Sequence, residues 1–298
     1  MRPRAPGSFV LPLLLAGCAA AAPAPEPAAS PEPARPQRLP PGEIELSGAA
    51  VQGGLMRGRA PPGTRLLSLD GTAVPLAADR SFIIGFDRDH GASALLVAER
   101  EDGSVVRREV AVAPQSWRIE HVDVAQRPSG STAEFLKIRE GELARIAAAR
   151  ARSSDSEGWR QPLAWPSTGR ISGVFGSQRV YRGTPGSFHS GVDVAAGAGA
   201  EVRAPAEGVV VLAGPPMFSL EGNLVIVDHG MGLNSAFLHL ASVAVREGDR
   251  VRQGQRIGTV GATGRATGPH LHWSMKWGGA RIDPQALAGP MPRGGGSR

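Results

Sequence analysis

The spacing of apolar positions changes several times along the chain. From 43 to 115 they alternate or form short runs. Glu43-Ile44-Glu45-Leu46-Ser47 alternates, as do parts of Thr64–Leu69, and Ala94-Leu95-Leu96-Val97-Ala98 is a continuous apolar stretch of buried-strand length. Asp70-Gly71 and Asp102-Gly103 supply turns. The pattern predicts a small β-sandwich over 43–115. Residues 116–161 then form a connector with a helix predicted over 131–152. That stretch lacks proline, Ser131 and Glu134 have capping-box spacing, and Phe135, Leu136, Leu143, Ile146 and Ala147 recur near helical intervals. The helix is expected to pack against a flanking domain; covering a nearby site is its competing role. Over 162–287 short β runs return between turns rich in Gly and Pro: Glu207–Leu212, Asn223–Val227, Leu233–Leu240, Arg256–Val260 and His270–Trp277. They predict a compact, mostly antiparallel β domain, followed by a flexible tail over 288–298. The expected fold class is mainly β: an N-terminal small β-sandwich, a connector helix and a C-terminal antiparallel β domain.

The first residues lie outside that scheme. Arg2 and Arg4 precede a short apolar stretch, Phe9–Ala16, that ends at Gly17-Cys18. A basic start, a short apolar core and small residues at the cut describe a secretory signal. Leu15-Ala16-Gly17-Cys18 also resembles the bacterial lipobox, in which the cysteine is lipidated and becomes the mature N-terminus. Residues 1–18 are therefore expected to be a lipoprotein signal peptide and Cys18 the lipidation site. Residues 19–42, mostly Ala, Pro and Glu, read as an extended tether. Lipoproteins of Gram-negative cells that carry Asp after the cysteine stay at the inner membrane. Ala19 stands there instead, so the expected location is the periplasmic side of the envelope, lipid-anchored at the outer membrane.

Composition narrows the chemistry. A single cysteine among 298 residues excludes internal disulfides and any multi-cysteine metal site. The pI of about 10.7 reflects arginine chemistry and not a large excess charge, which is only +6. Lys137 and Lys276 are the only lysines, and the arginines are scattered, so nucleic acid is not an expected partner.

Five of the seven histidines lie between 189 and 272. On a strand through His270–Trp277, side chains alternate between faces. His270, His272, Ser274 and Lys276 then share one face, and Leu271, Trp273, Met275 and Trp277 the other. The apolar set packs inward while two imidazoles stand together in a groove, where one can bind a metal as the other moves protons. Upstream, His189 and Asp193 are separated by Gly191, which permits a tight or bulged backbone. With one of the paired histidines they make an N,N,O set, and three protein ligands with a fourth position open is the pattern of catalytic zinc.

The residues Phe188-His189-Ser190-Gly191-Val192-Asp193, Phe237-Leu238-His239-Leu240 and Gly268-Pro269-His270-Leu271-His272-Trp273 resemble the LytM/lysostaphin-type zinc metallopeptidases that cleave peptidoglycan. Gly173–Arg179, Ala204–Gly208, Asp228-His229-Gly230 and Gly248–Gln255 extend the likeness across 162–287. The resemblance implies a LytM-like zinc peptidase domain in which His189, Asp193 and His272 bind zinc and His239 and His270 are the unliganded catalytic pair. Which of the two is the base stays open. Phe237 stands where the family usually has tyrosine. Arg179 is a candidate for a substrate carboxylate, and a capping role in the fold fits it equally. His229 reads as structural. The implied activity is hydrolysis of peptide cross-links between peptidoglycan stem peptides, D-alanyl–diaminopimelate bonds in a Gram-negative setting, with a protein activator or adaptor as a further partner. The alternative is a catalytically silent regulator that activates a cell-wall amidase.

Overall fold

The computed structural model describes residues 42–125 and 132–292, which lie within one compact unit. The expected signal peptide, Cys18, Ser131 and the end of the tail lie outside the described residues, as does the tether except Gly42. Among the described residues no helix is long and apolar enough to cross a membrane.

The first seven strands are β1 Glu45–Ser47, β2 Leu55–Arg59, β3 Thr64–Leu69, β4 Thr72–Val74, β5 Ser81–Gly85, β6 Ser93–Arg100 and β7 Val105–Ala111. They form a three-stranded sheet, β1-β2-β5, and a four-stranded sheet, β4-β3-β6-β7. Alternation decides what they bury. In β6, Ala94, Leu96 and Ala98 face the core and Leu95 faces solvent, although the sequence there is a continuous apolar run. Strand β8, Ile119–Val122, was not expected from the sequence; it leaves the sandwich and joins a small three-stranded sheet with two later strands.

Helix α1 spans Ala133–Arg150, capped by Thr132, whose hydroxyl accepts from the Phe135 amide at 3.1 Å. The cap is thus one residue later than the Ser131 box suggested. The buried face is also different. Leu136 and Leu143 are half exposed, whereas Glu142 and Ala149 are buried and Ile146 packs on an apolar cluster with Phe218, Ile226 and Ala236. The helix docks through a stripe that is polar at 139 and 142 and apolar at 146 and 149. Arg139 donates two 2.6 Å hydrogen bonds to Glu221 and one of 2.9 Å to Glu142. Glu142 in turn accepts from the Ser219 amide and hydroxyl, each at 2.6 Å.

The remaining strands are β9 Arg170–Gly173, β10 Gln178–Tyr181, β11 Thr184–Phe188, β12 Val192–Ala195, β13 Glu201–Arg203, β14 Gly208–Leu212, β15 Asn223–Asp228, β16 Leu233–Val243, β17 Arg250–Val251, β18 Arg256–Val260, β19 Leu271–Trp277 and β20 Ala280–Ile282. Their main path runs β17-β14-β15-β16-β19-β12-β9, with β13, β18 and β20 attached. Pairing is antiparallel throughout this sheet; in a separate small sheet, β8 runs parallel to β10. On β19 the alternation expected from the sequence is present. Leu271, Trp273 and Met275 are fully buried, and His272 and Lys276 are half buried.

One continuous apolar core links both β regions, from Phe82 and Ile84 to Trp273, Trp277 and Ile282. Polar ties reinforce it. Asp87 accepts from the Arg281 amide and guanidinium at 2.9 Å, and Arg88 donates to the Gly176 carbonyl at 3.1 Å and stacks 4.7 Å over Phe188. The sandwich therefore buttresses the residue immediately before His189.

Candidate active site

Strand pairing brings the first set together. Asp193 on β12 lies directly across from His272 on β19, and His189 follows the end of β11. His189 Nε2 is 3.1 Å from Asp193 Oδ1 and 3.1 Å from His272 Nδ1, and His272 Nδ1 is 2.8 Å from Asp193 Oδ1. Three donor atoms this close fit a small tetrahedral ion, for which bonds of about 2.0–2.1 Å imply donor separations of roughly 3.3 Å. His189 Nδ1 lies 3.1 Å from the Val174 carbonyl, which makes Nδ1 the protonated nitrogen and keeps the Nε2 lone pair toward the set. Two glycines make the room. A Cβ at Gly173 would collide with Asp193 Oδ2, and one at Gly191 would sit 2.5 Å from the Trp273 carbonyl and 2.7 Å from His272 Nε2.

The electrostatics suit a cation. Burial disfavours the Asp193 carboxylate, but hydrogen bonds from His189 and His272 outweigh it and hold its pKa well below the usual range. Burial likewise opposes charge on His189, yet the bond and charge of Asp193 raise its pKa. On His272 desolvation wins and the pKa falls.

The second pair stands beside the first. The His239 and His270 rings are 4.9 Å apart, and His239 is 6.2 Å from His272. His270 Nε2 is 3.8 Å from Asp193 Oδ1. His239 Nδ1 contacts the Thr263 carbonyl at 2.9 Å and His270 Nδ1 the Gly268 carbonyl at 2.8 Å, so each neutral ring carries its proton on Nδ1 and leaves Nε2 bare. Burial, with a smaller contribution from His270, lowers the His239 pKa.

His239 reaches this position by a route that plain alternation does not give. Leu238 pairs with His272 and lines the groove with it, so a regular strand would send His239 to the other face. Instead His239 adopts φ +63°, the ladder shifts register on both sides, and the imidazole turns back into the groove. Its amide donates to the Glu221 carbonyl at 2.8 Å, which helps hold a conformation that costs about 1–2 kcal/mol for a non-glycine residue.

The groove has a volume of about 460 Å³, and both histidine sets line it. Arg179 does not. Its guanidinium donates to Glu120 at 2.8 Å on the exposed β8–β10 ribbon. His229 is outside too, fully buried between the Glu207 carbonyl and Ser235. Sequence reasoning missed Arg139, brought to the groove by α1, and Arg265, on the loop between β18 and β19. Arg265 lies three residues before the Gly268–Trp273 motif, and that proximity was the available signal.

The profile of peptidase family M23 matches residues 187–284, a span that contains His189, Asp193, His239, His270 and His272. A Pseudomonas aeruginosa protein solved as an M23 peptidase is 30% identical, with a TM-score of 0.62 over 80% of this chain and 95% of that one. The chain belongs to peptidase family M23. This M23 chain is 40% identical over 136 residues to the DD-carboxypeptidase/endopeptidase Mpg of Neisseria meningitidis. It is 37% identical over 123 residues to the peptidoglycan DD-endopeptidase ShyA of Vibrio cholerae, and 32% over 126 to the murein hydrolase activator NlpD of Escherichia coli. These matches cover 44%, 41% and 42% of the chain but only 29%, 28% and 30% of those relatives.

Proposed function

We propose that the chain is a zinc-dependent endopeptidase that hydrolyses D-alanyl–diaminopimelate cross-links of peptidoglycan from a lipid anchor at Cys18, on the periplasmic side of the outer membrane. One observation carries the catalytic part: a three-atom N,N,O donor set and two further imidazoles with bare Nε2 atoms line one groove. His189, Asp193 and His272 would hold zinc through Nε2, Oδ1 and Nδ1. Zinc supplies Lewis acidity, polarising a carbonyl and making water easier to deprotonate.

The remaining work belongs to the chain. His239 and His270, each with Nδ1 on a backbone carbonyl and Nε2 free to take a proton, can each accept the proton that water loses on attacking the scissile carbonyl. The ring that takes the proton becomes an imidazolium with N–H at Nε2, and it can then return that proton to the leaving amine. While charged it can also donate to the developing oxyanion. The carbonyls of Thr263 and Gly268 keep both rings in this orientation throughout.

Purified protein should convert the cross-linked dimers of isolated sacculi into monomers, read after the glycan strands are cut with a muramidase, and His189→Ala and His272→Ala should abolish that conversion. Zinc-loaded protein that leaves sacculi and pre-digested muropeptides intact would overturn the reading. The similarity to NlpD supports the activator alternative, for which sacculus digestion would appear only when a partner amidase is added.

A further inference from the structure

The groove carries two arginines, and only one is committed. Arg139 gives its guanidinium to Glu221 and Glu142. Arg265 also lines the groove, its residue is exposed, and its guanidinium has no partner among the described residues. The backbone beneath it is anchored. The Arg265 amide donates to the Leu220 carbonyl at 2.9 Å, and Gly264, at φ +71°, packs against Gly222 so closely that any Cβ would strike that backbone. A fixed backbone therefore presents an uncompensated cation beside the His239–His270 pair.

Charge balance says what it waits for. Arg139 and Glu221 cancel, Asp193 contributes one negative charge, and a dication in the donor set would leave the groove positive with Arg265 unanswered. The missing partner is an anion that arrives with substrate. A planar guanidinium recognises a carboxylate through two parallel hydrogen bonds. In a D-alanyl–diaminopimelate cross-link, the carbon bearing the scissile nitrogen also bears a free carboxylate, whereas a glycine bridge has none beside its scissile bonds.

We propose that Arg265 is a specificity-determining residue that binds the carboxylate on the amine side of the scissile amide. This assignment rests on the endopeptidase reading above and gives Arg265 the role that the sequence suggested for Arg179.

The test uses two synthetic cross-linked stem-peptide dimers, identical except that this carboxylate is free or amidated. Zinc-loaded wild-type protein should prefer the free acid in kcat/KM by about 10- to 100-fold, the range of one charge-assisted contact. Arg265→Gln, with equal zinc content, should lose that preference by slowing on the free acid alone; Arg265→Lys should recover part of it. Cleavage of both dimers at equal rates by wild type, or an unchanged preference in Arg265→Gln, would overturn the assignment and leave the endopeptidase reading standing. Equal losses on both dimers would also overturn it. A wild-type protein that cuts neither dimer would defeat the endopeptidase reading, and the assignment with it.

Discussion

At the scale of single residues, the site depends as much on missing side chains as on present ones. Gly173 lies against the Asp193 carboxylate and Gly191 against His272, so a methyl group at either position pushes a donor out of the set. Gly173→Ala should weaken zinc binding about 10- to 100-fold, the usual cost of disturbing the support of a metal ligand. Competitive titration with a chromogenic chelator measures this, and unchanged affinity would contradict the geometry. The donors themselves were legible because β19 obeys a period of two, and its alternating His and apolar residues announce which face is wet. Alternation with Leu238 and Leu240 made the groove-facing placement of His239 legible, but not the register break at φ +63° that turns it there and leaves Leu238 lining the groove as well. Arg265 was missed for a related reason. A lone arginine in a loop gains meaning only when its neighbours prove to be paired and it does not.

Among the elements, α1 shows where apolar periodicity misleads. The sequence offers Phe135, Leu136, Leu143, Ile146 and Ala147 as the packing face; Ile146 does pack, but Leu136 and Leu143 stay exposed while Glu142 is buried and Arg139 half buried, because Ser219 and Glu221 are waiting for them. Hydrophobic spacing reports what can be buried cheaply; it does not report polar groups that acquire partners from a loop 77 or 82 residues away. The docking should be pH-sensitive. Burial opposes the charge on Glu142, but the bonds from Ser219 and Arg139 prevail and lower its pKa below the ordinary 4.5. A carboxylate with a depressed folded pKa contributes stability above its unfolded pKa, and that contribution fades as pH falls through the folded value. Amide exchange in α1, corrected for intrinsic rates, should therefore accelerate below pH 4.5 while the main sheet stays protected. Arg139→Ala should produce the same local opening at neutral pH, at a cost of about 1.5–3 kcal/mol. Uniform exchange across helix and sheet would contradict a separately docked helix.

At the scale of the whole molecule, the expected sandwich is present as two sheets, and the later β region is built around β19 as its pattern implied. Their shared core, with Asp87 holding Arg281 and Arg88 stacked on Phe188, was not legible, because no local pattern reports which strands of one region will meet another. A consequence is that the N-terminal sheets belong to the support of His189. Anchoring acts at the same scale. If Cys18 carries lipid, Cys18→Ser should move the protein from the membrane to the soluble periplasmic fraction without lowering its activity on isolated muropeptides. Membrane retention of that variant would remove the anchor from the account.

The central claim is that the two histidine sets form one hydrolytic centre, and a defined cross-linked muropeptide dimer tests it directly by mass spectrometry. Zinc-loaded wild-type protein should convert the dimer into two monomers whose summed mass exceeds it by one water. His239→Ala and His270→Ala should retain zinc but slow that conversion at least about 100-fold, the lower range for removal of a general acid or base. Intact dimer with zinc-loaded wild type, or undiminished cleavage by both variants, would contradict the account.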